Sequence, residues 1–124
     1  MNILDAFRSK EDPILGSGVS EMEINNAEKE LSLSFSKDYR EYLRSIGIAM
    51  CEGHEFTGIG KDPRVSVVDV TRQMKAYHEN IPDDWYVVEN ENMDGAVIWQ
   101  DTAGNIYFNK HKEYNSFYEL IMDL

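Results

Sequence analysis

Polar and apolar positions follow two periods along the chain, and the change falls near its middle. In the first half the period is helical. Val19-Ser20-Glu21-Met22-Glu23-Ile24 reads as a helix start: Ser20 can accept from the Glu23 N–H, and the Glu23 side chain can reach back to the Ser20 N–H. Val19 and Ile24 occupy the two positions of a hydrophobic staple. Ile24, Ala27 and Leu31 then mark one face against Glu21, Asn25, Glu28, Lys29 and Glu30, which predicts a helix over about 20–32. Tyr39, Tyr42, Leu43 and Ile46 repeat the pattern after a possible cap at Ser36, with Asp38 at the positive end and Gly47 as the stop. Asn2–Ser9 predicts a shorter helix, and Asp12–Gly18, with Pro13, Gly16 and Gly18, predicts a loop.

After Gly60 the signals turn to strands. The β-branched run Val65-Ser66-Val67-Val68-Asp69-Val70 predicts a strand, with Thr71 capping a short helix that reaches about His78. Trp85–Val88, Ala96–Trp99 and Ile106–Phe108 predict three more, joined through Asn92-Met93-Asp94-Gly95 and Thr102-Ala103-Gly104-Asn105. Both linkers hold dipeptides that tight hairpins favour. Ser116–Asp123 closes with a helix burying Phe117, Leu120 and Ile121. The expectation is an α+β fold, a single domain in which helices pack against an antiparallel meander. Its 124 residues suit one core, and 42% hydrophobic with 28% charged residues is a globular balance.

Charge sharpens the picture. The formal net charge is −11, which argues against direct nucleic-acid binding, since that requires cations to neutralise phosphates, and against docking on anionic membranes. Acidity concentrates late: residues 1–64 carry 12 acids and 8 bases, residues 65–124 carry 11 acids and 4 bases. No Lys or Arg stands between Ala76 and Asn109, a stretch that holds Glu79, Asp83, Asp84, Glu89, Glu91, Asp94 and Asp101. Such a field can steer a basic partner and reject acidic ones. Tyr77, Trp85, Tyr86, Trp99 and Tyr107 lie among the carboxylates, and aromatics beside charged rims supply interface hot spots. The candidate partner-binding set is therefore Asp83, Asp84, Trp85, Tyr86, Glu89, Glu91, Asp94 and Asp101. The competing reading is solvated surface, with alternate aromatics turned inward.

Bond-making chemistry finds little support. Cys51-x2-His54 is a ligand-type pair, but zinc needs four ligands and no second cysteine exists. Asn90-x-Asn92-x-Asp94-Gly95-x5-Asp101 approximates a calcium-loop spacing, yet Ala96–Trp99 reads as a strand and no helices flank it. His54, His78 and His111 are scattered, and no nucleophile elbow, phosphate loop or dinucleotide fingerprint occurs. The expectation is a non-enzyme without metal or cofactor. A lone cysteine, no signal-like start and no apolar run of about 18 residues predict a cytoplasmic protein.

The stretch from Val19 to Leu43, with Glu28, Leu31, Leu33, Phe35, Tyr39 and Leu43 and then Gly47, resembles the opening of the SUKH superfamily, the Smi/Knr-like proteins. His54-Glu55-Phe56-x-Gly58, Val67-Val68-x-x-Thr71, Trp85-Tyr86-Val87-Val88-Glu89, Asp94-Gly95 and Asp101-x-x-Gly104-x-Ile106-Tyr107 extend the resemblance over about 19–124, with 1–18 as an N-terminal helix and loop. Ser36 departs from the proline that family prefers. The resemblance implies a small SUKH-like α+β domain spanning 1–124. It also implies an immunity protein that binds and neutralises a cognate bacterial polymorphic toxin, often a nuclease. A nuclease presents a basic cleft that an acidic surface can occlude. The alternative is a regulatory scaffold module that organises other proteins. Either way the partner is a protein, and the chain is a monomer or weak homodimer.

Overall fold

A computed structural model describes residues 2–90 and 95–124. In chain order the elements are α1 (Ile3–Arg8), β1 (Ile14–Leu15), α2 (Glu21–Leu31), α3 (Lys37–Ser45), β2 (Ala49–Cys51) and β3 (His54–Glu55). There follow α4 (Val67–Tyr77), β4 (Tyr86–Glu89), β5 (Ile98–Gln100), β6 (Ile106–Phe108), β7 (His111–Tyr114) and α5 (Phe117–Met122). The fold is mixed α+β, with antiparallel sheets ordered β1-β2-β3 and β4-β5-β6-β7.

Local side-chain chemistry starts each helix. Ser20 and Glu23 form the reciprocal box, Ser20 Oγ accepting from the Glu23 N–H and Glu23 Oε1 from the Ser20 N–H, both at 3.2 Å. Ser36 caps α3 and Ser116 caps α5 by the serine half of this arrangement alone, accepting from the Tyr39 and Glu119 N–H at 3.2 and 3.0 Å. Such caps satisfy N–H groups that have no partner within the helix.

Three expectations are corrected. Residues 67–70 are helix rather than strand: α4 is capped by Ser66, and Thr71, the expected cap, lies inside it. Val67, Val68, Val70, Thr71 and Met74 are all buried along α4, so packing on two sides outweighs the β preference of valine. The meander has four strands, because β7 joins β6. Its His-Lys-Glu-Tyr sequence lacks the apolar alternation that marks strands. Within the expected 12–18 loop, Ile14–Leu15 pairs with β2 as the edge of a second small sheet, too short to leave a periodic signal.

The four-stranded sheet is packed on both faces. Tyr86, Val88, Ile98 and Ile106 face the main core, where Phe7, Phe35, Tyr39, Tyr42, Phe56 and Phe117 interlock. The first helix belongs here, since Phe7 stacks on Tyr42 at 5.5 Å. Val87, Val97 and Trp99 face the other way, forming a smaller core with Val70, Met74 and Trp85. The hydroxyls of the three buried core tyrosines are each used: Tyr39 Oη meets Thr57 Oγ1 at 2.8 Å, Tyr42 Oη donates to Thr57 O, and Tyr86 Oη donates to Gln100 Oε1. Burial raises all three phenol pKa values well above the ordinary tyrosine range. The outer edge of β4 is closed as well. Thr71 Oγ1 accepts from Val87 N–H, Thr57 Oγ1 donates to Val87 O, and Thr57 N–H donates to Val88 O, so no open ladder is left there.

Candidate partner-binding site

The acid-rich stretch folds into places of different character. Residues 79–84 form a loop between α4 and β4 in which Glu79, Asp83 and Asp84 are exposed. Two lysines hold this loop by its main chain: Lys75 Nζ donates to Asp83 O and Lys110 Nζ to Glu79 O, each at 2.9 Å. Burial lowers the Lys75 pKa, against the pull of Asp83 and Asp84. The Glu79 and Asp83 carboxylates themselves form no hydrogen bond or ion pair among the described residues, although Asp83 and Asp84 attract the Lys75 charge from nearby. Asp84 Oδ2 accepts from Thr102 N–H at 3.3 Å, tying the loop to the β5–β6 hairpin.

Asp101 sits in that hairpin at 8% exposure. It accepts from the Asn105 N–H, from Asn105 Nδ2 and from Tyr107 Oη at 2.9–3.0 Å. Burial disfavours its charge, but these bonds together with the Gly104 N–H outweigh burial and hold the carboxyl below its usual range. Its lone pairs are therefore spent at home, which also removes the last position of the calcium-type spacing. Trp85 is 8% exposed, stacked on Tyr107 with ring centroids 4.0 Å apart. Asp83, Asp84, Trp85 and Asp101 thus come together at one end of the sheet, with only the two aspartates of the loop on the surface.

The other end of β4 is different. Val87 pairs with Trp99 and Glu89 with Ile98, so Val88 is an extra residue in the strand. Simple alternation would send Glu89 to the face of Val87; the bulge turns it to the face of Ile98, toward the main core. There it is 3% exposed, with both oxygens on His54 Nδ1 at 2.8 and 3.1 Å. Burial raises the Glu89 pKa, and His54 opposes the rise. Tyr86 is 0% exposed in the aromatic core and cannot serve as a surface anchor. Burial likewise removes Glu89 from the accessible acidic surface. Glu91 and Asp94 lie outside the described residues.

Sequence spacing gave no hint of the His54–Glu89 pair, since the bulge creates it. Cys51 and His54 are cross-strand neighbours around a tight turn whose central residues, Glu52 and Gly53, both have positive φ. Burial pushes the Cys51 thiol up to about 11, which keeps it protonated at neutral pH and a poor nucleophile. Among the described residues, no three His, Cys, Asp or Glu side chains are grouped to hold a metal ion. None of the described helices is long and apolar enough to cross a membrane.

Two surface hollows escaped sequence reading, one of them beside Tyr77, which the sequence already offered as an aromatic among the carboxylates. Tyr77, the last residue of α4, is 79% exposed at the rim of a hollow of ≈ 490 Å³. A second hollow, between α2 and α4, is lined by Glu23, Glu30, Asp69 and Arg72, whose guanidinium donates to Glu30 O.

The chain belongs to the SUKH superfamily: it matches the family SUKH_5, described as SMI1-KNR4 cell-wall, over residues 1–124, so the match takes in the N-terminal helix as well as the 19–124 region. No curated protein matches the chain. The SUKH family is known for immunity proteins of polymorphic toxin systems.

Proposed function

We propose that this protein is an immunity protein that binds and neutralises a cognate toxin, a basic nuclease domain, by occluding it rather than by catalysis. The observation that carries this reading is the family match over 1–124. The net charge of −11 and the main-chain pinning of the 79–84 loop support it. Asp83 and Asp84 supply the charge complementarity, joined by Glu79 from the same loop; Trp85 and Asp101 hold that end of the sheet in shape from beneath. A surface fixed before encounter loses less entropy on binding, and an acidic one accelerates approach to a phosphate-binding cleft. The SMI1-KNR4 cell-wall description of the family also favours a regulatory scaffold as the second reading.

The deciding experiment is co-expression with the toxin domain encoded beside this gene. The immunity reading expects survival of the host and co-purification of the two chains in fixed ratio. Death at an unchanged rate, together with stable complexes formed with several unrelated proteins, selects the scaffold instead.

A further inference from the structure

Resting on the immunity reading, we propose that the groove at the C-terminal end of α4 receives an arginine-bearing segment of the toxin. Two hollows, of ≈ 490 Å³ and ≈ 310 Å³, share His78 and Asn109 as lining residues and so adjoin along one face. Their lining includes apolar side chains from the smaller core, Met74 and Val97 in one and Trp99 with Ile81 in the other. The floor is rigid, because Asn109 N–H donates to Val97 O at 2.8 Å and Asn109 Oδ1 accepts from Val97 N–H at 3.2 Å.

Four features select a guanidinium as the occupant. Asn90 Oδ1, from a residue lining the larger hollow, has almost no exposure and accepts no hydrogen bond among the described residues, so a small turn of the Asn90 side chain into the hollow is what presents it to an incoming donor. An unmet buried acceptor calls for a donor, and arginine carries five. The Tyr77 ring stands exposed at the rim, where a planar cation can stack on it. The C-terminus of an eleven-residue helix, at Tyr77, brings partial negative charge to the same place. Finally, no Lys or Arg lines the larger hollow, whereas the smaller one holds the Lys110 ammonium, which donates to Glu79 O, so the guanidinium belongs in the larger hollow. Apolar walls for the methylene stem, a ring for the guanidinium plane and an acceptor at depth together fit arginine better than the compact ammonium of lysine.

The test uses the intact protein labelled for NMR and titrated with tetra-arginine amide, with tetra-lysine and tetra-glutamate amides alongside, at about 0.15 M salt to screen diffuse attraction. Saturable shifts at Tyr77, His78 and the Asn90 side-chain amide are expected, strongest for arginine and absent for glutamate. Tyr77→Ala and Asn90→Leu each weaken that binding about tenfold or more. Tyr77 is exposed enough that its variant keeps the fold, so the result does not hinge on Asn90→Leu. Shifts confined to the α2–α4 hollow, or equal responses to arginine and lysine in both variants, overturn the proposal. Failure here separates from failure of the immunity reading. A toxin neutralised equally by wild type, Tyr77→Ala and Asn90→Leu removes the groove and leaves the function. Arginine bound in the groove with no toxin neutralised removes the function and leaves the groove.

Discussion

The two ends of β4 treat carboxylates in opposite ways. Before the strand, Asp83 stands in solvent on a loop whose carbonyls are held by lysines, its carboxylate hydrogen-bonded to none of the described residues and only attracted at a distance by Lys75. After one bulged residue, Glu89 is inside, with both oxygens on one histidine nitrogen. In sequence the two looked alike, acids in a stretch lacking Lys and Arg. Backbone geometry separates them: the loop projects charge outward for recognition, whereas the bulge converts charge into a bond between the two sheets. A third treatment occurs on α2, where Arg40 of α3 reaches both Glu21 and Glu28 and Arg44 also pairs with Glu21, so two cations offset the two carboxylates. The field of this protein is therefore set less by the count of acids than by which of them are left without an internal partner.

The strongest way to break the comparison is to strand the inner carboxylate. His54→Leu leaves Glu89 buried with only the Glu55 backbone N–H to support its charge, and breaking such a buried pair costs up to about 3–5 kcal/mol. Removing His54 also takes away the opposition to the raised Glu89 pKa, which climbs further. The native state then holds a proton that the unfolded chain has released, so the variant's deficit shrinks as the pH falls from about 7 to about 5. Denaturant unfolding across that range measures it. The double variant His54→Leu/Glu89→Met is expected to lose less than His54→Leu alone; a loss equal to the sum of His54→Leu and Glu89→Met measured singly means the two side chains are not coupled.

A smaller effect is expected where the carboxylate has several partners. Tyr107→Phe removes one of the bonds to Asp101 and costs about 1–2 kcal/mol at neutral pH. The sign of its pH dependence follows from a lowered pKa. Stability tied to ionised Asp101 is present above the unfolded carboxyl value and lost as pH falls through the lower folded one. The deficit of Tyr107→Phe thus persists through the pH range in which that of His54→Leu recovers, and fades only below the ordinary carboxylate range. Parallel recovery of both variants would mean that Asp101 and Glu89 sit in equivalent surroundings.

This contrast also shows which parts of the molecule were legible beforehand. Helix starts were readable because a cap is settled within four residues: Ser20 with Glu23, Ser36 with the Tyr39 N–H, Ser116 with the Glu119 N–H. The Thr102–Asn105 turn between β5 and β6 was readable for the same local reason. The helix over Val67–Tyr77 was hidden because its valines prefer strands, and burial on two sides outweighs that preference. Orientation of side chains across β4 was hidden more deeply. One bulged residue changes the face of Glu89, and nothing in Tyr86-Val87-Val88-Glu89 announces it. Acidity was legible as a sum, but the accessible part of it depended on contacts made by residues as distant as His54 and Lys110.

The finest test asks whether the loop's charge is spent on folding at all. Glu79→Gln with Asp83→Asn removes two carboxylates that make no hydrogen bond or ion pair among the described residues, and it leaves both lysine-to-carbonyl bonds in place. Stability should stay within about 0.5 kcal/mol of wild type. Association with the toxin is expected to slow several-fold at low ionic strength, and the two proteins should converge as salt rises, because steering between exposed charges is screened. Glu30→Gln with Asp69→Asn lowers the net charge equally in the α2–α4 hollow and serves as the matched comparison. If that pair slows association while the loop pair does not, the toxin approaches α2 and α4. If both slow it alike, only total charge matters. A loss confined to Glu79 and Asp83 makes the pinned loop the part of the surface that the partner meets first.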